Sequence, residues 1–227
     1  MGNYDQYKEQ VLMYSQLMLA RGYTVGTGGN ISVLVEGEEK VAVTPSGRDY
    51  MDLTVDDICV VNFDLSTVEG SYQPSIETGM HITVYQNRAD VNAVIHTHQV
   101  YASVFALTGQ PLPPLFDEVV MNIGPIVDVI PYGLSGSAEL AANVASKLGN
   151  RCACYLLQNH GALCLGTSLE KAFRNVELLE KTAHVYSYAL STGQKPLQLP
   201  ENIVTMLTGV MHYKQDQEIE RKKSLKA

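Results

Sequence analysis

The 227-residue sequence lacks any apolar run of about 20 residues, the length a membrane-crossing helix needs. The longest uncharged stretch, Gln99 to Phe116, is broken by Pro111, Pro113 and Pro114. The start, Met1 to Gln10, is polar and charged and carries no signal-peptide pattern. These absences lead us to expect a soluble, cytoplasmic protein with no membrane partner. Positive charge is also scarce: the net charge is -8, which makes the chain a poor nucleic-acid binder overall, and no nucleic-acid partner is expected. An acidic chain can still hold an anion locally, because phosphate sites are often built from backbone N–H groups.

Cysteine is sparse. Four residues, Cys59, Cys152, Cys154 and Cys164, make no secreted disulfide framework in a chain of this length. They are expected to be buried thiols, with Cys152 and Cys154 alternating onto one face of a strand. Nucleotide fingerprints are missing too, since Gly26-Thr27-Gly28-Gly29 is neither a Walker loop nor a dinucleotide motif.

What is present is a foldable α/β pattern. Hydrophobic residues make up 45% and charged residues 18%, enough apolar content for a core. Helices are predicted over Tyr7–Arg21, Ile76–Asn87 (with Ser75 as cap), Val100–Leu107, Ser137–Leu148, Ser168–Thr192 and Asn202–Tyr213. Strands are predicted over Ile31–Val35, Lys40–Thr44, Cys59–Asp64, Val91–His98, Val127–Val129, Cys154–Gln158 and Ala162–Leu165. No repeat or interior linker appears. We expect one domain over residues 1–214 and a charged, flexible extension over 215–227.

Chemistry concentrates in the histidines, of which there are six. His96 and His98 lie two apart on a predicted strand, so both rings point to one side and can reach one ion. His160 ends another apolar strand, in Asn159-His160-Gly161. Each segment alone is compatible with a structural role. Together they form a three-imidazole set suited to zinc, with manganese or cobalt as alternatives. Glu77 opens a predicted helix, where negative charge is favoured; it is either a dipole-compensating residue or a fourth ligand and proton carrier. The loops Gly28-Gly29-Asn30, Ser46-Gly47 and Ser75 can offer N–H or O–H donors to a phosphate. His81, one turn after Glu77, reads as a packing or supporting residue, and His184 and His212 as structural.

The segments Gly28-Gly29-Asn30-Ile31-Ser32, Thr44-Pro45-Ser46-Gly47, Pro74-Ser75-Ile76-Glu77, His96-Thr97-His98 and Asn159-His160-Gly161 together resemble the class II aldolase/adducin family, over about residues 5–195. The likeness implies a three-layer α/β/α sandwich with a central, mainly antiparallel sheet. It also implies a homotetramer with sites at subunit interfaces. It implies Zn2+ on His96, His98, His160 and Glu77, with Glu77 carrying a proton, and phosphate held by Gly29, Asn30, Ser46, Gly47 and Ser75. The implied reaction is cleavage of a ketose 1-phosphate, such as L-fuculose 1-phosphate, to dihydroxyacetone phosphate and an aldehyde. The pattern departs at Ile76, where the aldolases usually carry a second serine, and at Leu115-Phe116-Asp117-Glu118, where an expected tyrosine is missing. Relatives with epimerase or dehydratase activity place a carboxylate near that segment, so Glu118 is a further catalytic candidate. Tyr213 is a candidate for a C-terminal tyrosine that closes the site. A 4-epimerase or dehydratase activity is the alternative reading. An adducin-like scaffold without catalysis is disfavoured by the intact histidines.

Overall fold

A computed structural model describes residues 3–226. Its centre is one eight-stranded sheet in the order β4-β3-β2-β1-β5-β8-β7-β6. In chain order the strands are β1 (Asn30–Leu34), β2 (Lys40–Val43), β3 (Cys59–Asn62), β4 (Thr67–Glu69), β5 (Ala93–Thr97), β6 (Asp128–Ile130), β7 (Cys154–Leu157) and β8 (Gly161–Gly166). Every pairing is antiparallel except the edge pair β6–β7. The helices are α1 (Asp5–Ala20), α2 (Thr78–Asn87), α3 (Val100–Thr108), α4 (Asp117–Asn122), α5 (Ala138–Lys147), α6 (Leu169–Ser191) and α7 (Glu201–Lys226).

Strand alternation builds the three layers. Ile31, Val33, Ala93, Ile95, Cys154, Leu156, Ala162 and Cys164 point to one face and pack with residues of α1, α3 and α6. Val94, Tyr155, Leu157, Leu163 and Leu165 point to the other and pack with α2 and α5. Period-two strands buried on both faces read as nearly continuous apolar runs, as β5, β7 and β8 do. The expected α/β/α sandwich with a mainly antiparallel sheet is therefore what forms.

Several local expectations change. Strand β4 and helix α4 are additional elements, both short. Cys152 and Cys154 do not share a face. Cys152 lies before β7 begins, where strand alternation does not apply, and packs with the α2/α5 layer while Cys154 faces α6. All four thiols are buried and unbridged. Ser75 is not the helix cap: α2 starts at Thr78 with Glu77 in the cap position. Residues 215–226 do not leave the fold as a separate extension. They continue α7, where Glu218 accepts from Asn92 Nδ2 at 2.7 Å and Lys222 Nζ donates to Val91 O at 3.0 Å. Charge alone suggested fraying, but these polar groups find partners just ahead of the central strand β5.

Candidate metal centre

Three neighbouring strands in the middle of the sheet carry the site. Asn30 on β1 stands opposite His96 on β5, and Thr97 on β5 stands opposite Ala162 on β8. By alternation, Asn30, Ser32 and His96 all face the α2 layer. The start of α2 comes up against the same face and brings Glu77 and His81 with it.

The histidines converge. His98 Nε2 lies 2.9 Å and His160 Nε2 3.2 Å from His96 Nε2. His96 Nδ1 donates to Ala162 O at 2.9 Å, which fixes the tautomer and leaves the Nε2 lone pair free. Ligands about 2.0–2.1 Å from a tetrahedral zinc stand about 3.3 Å apart, close to the two separations from His96, and all three ring nitrogens lie within 4.8 Å of one another. Burial pushes the His96 imidazole well below its usual pKa, and the nearby His98 and His160 reinforce the shift. His98 is lowered by burial and by His160. Neutral rings with free lone pairs are the form that ligates metal.

Glu77 completes the set. Its Oε2 is 3.4 Å from His96 Nε2 and its Oε1 is 3.4 Å from His160 Nε2. Asn30 Nδ2 donates to Oε2 at 2.7 Å, while Oε1 is buried with no hydrogen-bond partner. A 5% exposed carboxylate whose orphan oxygen lies 3.4 Å from His160 Nε2 fits a divalent cation held with the imidazoles. Because Glu77 precedes the first helical residue, its side chain turns toward the strands instead of lying along α2.

Glycines make room for this packing. Any Cβ at Gly161 would sit 2.3 Å from Thr97 O and 2.8 Å from His98 Cδ2. Gly161 is thus required for close approach of β5 and its histidines, not for a positive φ. The left-handed residue of the turn is Asn159, at φ 56°. At Gly29, φ is +68° and a Cβ would meet His96 O at 2.7 Å.

The predicted phosphate loops are zipped together. Ser46 N donates to Gln73 O at 2.9 Å and Ser75 N to Thr44 O at 3.1 Å. These two N–H groups are therefore occupied, leaving the hydroxyls of Ser46 and Ser75 as the donors those residues can offer. Ser75 Oγ also accepts from Glu77 N at 3.3 Å. Gly47, at φ +65°, stays exposed beside them.

Two candidates are not brought to the histidines within one chain. Glu118 lies on α4 with its carboxylate 2.6 Å from Lys181 Nζ, both groups more than half exposed. Tyr213 lies on α7 and accepts from Gln217 Nε2 at 2.8 Å. The neighbouring Gln215 bonds Arg151 O, ahead of β7, whereas His160 follows β7 at its other end. The strand length separates them.

Other residues at the site carried no sequence signal. Tyr50, 1% exposed, donates to Gly29 O at 2.6 Å and so pins the glycine loop. Ser135 Oγ comes within 3.4 Å of His160 Nε2. Glu180 on α6 accepts from Tyr101 N and Ala102 N at 2.9 and 3.0 Å, capping α3 immediately after His98 and Gln99. Tyr50 and Glu180 are isolated residues, and Ser135 lies in a small-residue loop, so only tertiary contact marks them.

Comparison with known proteins agrees with this geometry. The profile of the Class II Aldolase and Adducin N-terminal domain matches residues 9–187. A 5-deoxy-D-ribulose 1-phosphate aldolase of Bacillus thuringiensis serovar kurstaki is 35% identical over 195 residues, 86% of this chain and 90% of that protein. An L-fuculose phosphate aldolase of Methanococcus maripaludis is 33% identical over 170 residues, 75% of this chain and 90% of its own length. The solved structure of an L-fuculose 1-phosphate aldolase superposes with a TM-score of 0.85 at 35% identity, covering 90% of this chain and 95% of that one.

Proposed function

As this chain belongs to the class II aldolase and adducin family, we propose that it is a divalent-metal-dependent aldolase. It cleaves a ketose 1-phosphate to dihydroxyacetone phosphate and an aldehyde. The observation that carries the reading is the triangle of His96, His98 and His160 Nε2 atoms with the orphan Glu77 oxygen beside it. His96, His98 and His160 would hold the cation, with zinc favoured by three imidazoles and manganese or cobalt as alternatives. When bound, the cation supplies Lewis-acid polarisation of a substrate carbonyl.

The chain's own groups account for the rest. Glu77 Oε1 is the base that holds or returns the proton at the carbon released as a nucleophile. Asn30 keeps the carboxylate oriented through Oε2. The Ser46 and Ser75 hydroxyls, with Gly29, Asn30 and Gly47 around them, hold the phosphate. The sugar phosphates named for two relatives, 5-deoxy-D-ribulose 1-phosphate and L-fuculose phosphate, support this substrate class. The Glu118–Lys181 pair weighs against a reading in which Glu118 of the same chain drives epimerisation or dehydration. A homotetramer belongs to the same proposal, and exposed Val100, Val104 and Leu107 on α3, just after His98, provide apolar surface for it.

The test incubates zinc-loaded protein with L-fuculose 1-phosphate, 5-deoxy-D-ribulose 1-phosphate and ribulose 1-phosphate, and follows dihydroxyacetone phosphate by coupled reduction. Chelator-sensitive release supports the reading, and the rate ratio ranks the substrates. No release from any of them by metal-loaded protein would remove it.

A further inference from the structure

A cleft of about 510 Å³ lies at the end of the sheet away from the histidines. Val91, Leu165 and Gly166 line it, and Gly166 pairs with Ala93 at the start of β5, while His96 and His98 lie at the far end of that strand. Its volume falls in the range of small-ligand sites.

The charges around it are unevenly matched. Both acids that line it are engaged: Asp90 is bonded twice by Arg88, and Glu218 by Arg221 and Asn92. Three cations remain. Lys171 and Arg174 stand one turn apart on one face of α6, and Lys214 comes from α7; none has a side-chain partner among the described residues. In a chain of net charge -8, three uncompensated cations around one cleft form a local positive field.

A second observation concerns hydrogen bonding. Gln215 lines the cleft, is 7% exposed and donates Nε2 to Arg151 O at 2.9 Å. Its Oε1 is buried with no partner. Buried acceptors are normally satisfied, so this one calls for an O–H or N–H donor. We infer that the cleft is a second ligand site for a small phosphorylated polyol or sugar. Lys171, Arg174 and Lys214 bind the phosphate, and Gln215 Oε1 accepts from a ligand hydroxyl.

The site is tested by calorimetric titration of the zinc-loaded full chain with glycerol 1-phosphate and, separately, with inorganic phosphate. Four proteins are compared: the natural sequence, Lys171→Ala/Arg174→Ala, Gln215→Leu and Ser46→Ala/Ser75→Ala. Both cations are exposed, so the double variant should keep its melting temperature. It should lose one binding event per chain for both probes. The same event should survive Ser46→Ala/Ser75→Ala, which separates it from the active site even if the aldolase reading fails. Gln215→Leu should weaken glycerol 1-phosphate by about tenfold and leave inorganic phosphate unchanged, as expected for one hydrogen bond. An isotherm unaffected by Lys171→Ala/Arg174→Ala overturns the inference. So does absence of binding because a second copy of the chain covers the cleft.

Discussion

Asn30 and His96 are directly opposed on β1 and β5, and both address the same carboxylate oxygen: Asn30 Nδ2 is 2.7 Å and His96 Nε2 3.4 Å from Glu77 Oε2. The amide is therefore a brace for Glu77 as well as a candidate phosphate contact. Asn30→Ala should leave the metal content unchanged and lower kcat by about 10- to 100-fold, the scale of a hydrogen bond to a charged group. Glu77→Gln should also keep zinc but lose about 10²-fold or more. His96→Ala and His98→Ala should lose the metal itself. Metal analysis beside steady-state rates separates the two classes. An Asn30→Ala enzyme with normal kcat would show that Glu77 is held by other means.

Gly161 predicts a steric defect. A methyl group there meets backbone at 2.3 Å, which no rotamer change relieves. Gly161→Ala should cost about 1–3 kcal/mol of stability through overpacking and should also weaken zinc, because His98 must shift. Thermal melts with and without chelator measure both effects. Retention of full zinc affinity would mean that β8 moves as a unit without disturbing the ligands.

His81 makes stability depend on acid. It is fully buried, its Nδ1 lies 2.7 Å from Ser32 Oγ, and burial lowers its pKa to about 3. An unfolded histidine titrates near 6.5, so between about pH 6.5 and 3 the unfolded chain binds a proton that the folded chain refuses. The contribution of His81 is complete above pH 6.5 and falls as pH drops toward 3, by about 1.4 kcal/mol per unit across that window. Denaturant titrations of metal-free protein from pH 8 to 4 should show this decline. His81→Gln should reduce the slope by one proton's worth, about 1.4 kcal/mol per unit, leaving the part that comes from His96 and His98, and an unchanged slope would assign the acid sensitivity elsewhere.

Burial raises the Cys59 and Cys152 thiols to about 11 and Cys154 well above its usual value. The thiolate is the reactive form. Native protein should therefore take up almost no iodoacetamide at pH 8, and four equivalents after unfolding. Rapid labelling of the native state at one position, located by peptide mapping, would identify a segment that opens locally.

The layers and the clustering of the three histidines were legible in the sequence because they depend on local pattern. Period-two apolar runs ended at His98 and at His160, and two histidines two apart on a strand must share a face. The direction of Glu77 was less legible: its local sequence suggests a helical residue, and only the late start of α2 turns it inward. Tyr50 and Ser135 act through contacts with residues far along the chain, so no short window marks them. The segment after Gln215 was read as tail from its charge, although Arg151, Asn92 and Val91 supply its partners across the fold. Glu118 and Tyr213 came from likeness to relatives, and one chain alone does not bring either to the histidines.

The proposed metal centre would also constrain when a cation can be captured. Asn30 and Glu77 are 47 residues apart, and His96 and His160 are 64 apart, joined only through β1, β5, β8 and the start of α2. Such distant partners meet late, after loop-closure entropy has been overcome. A nascent chain thus presents at most the His96–His98 pair, a weak and unselective chelate. On the proposed reading, metal selection would be deferred to the finished sheet, where ring spacing acts together with metal availability to decide which ion stays.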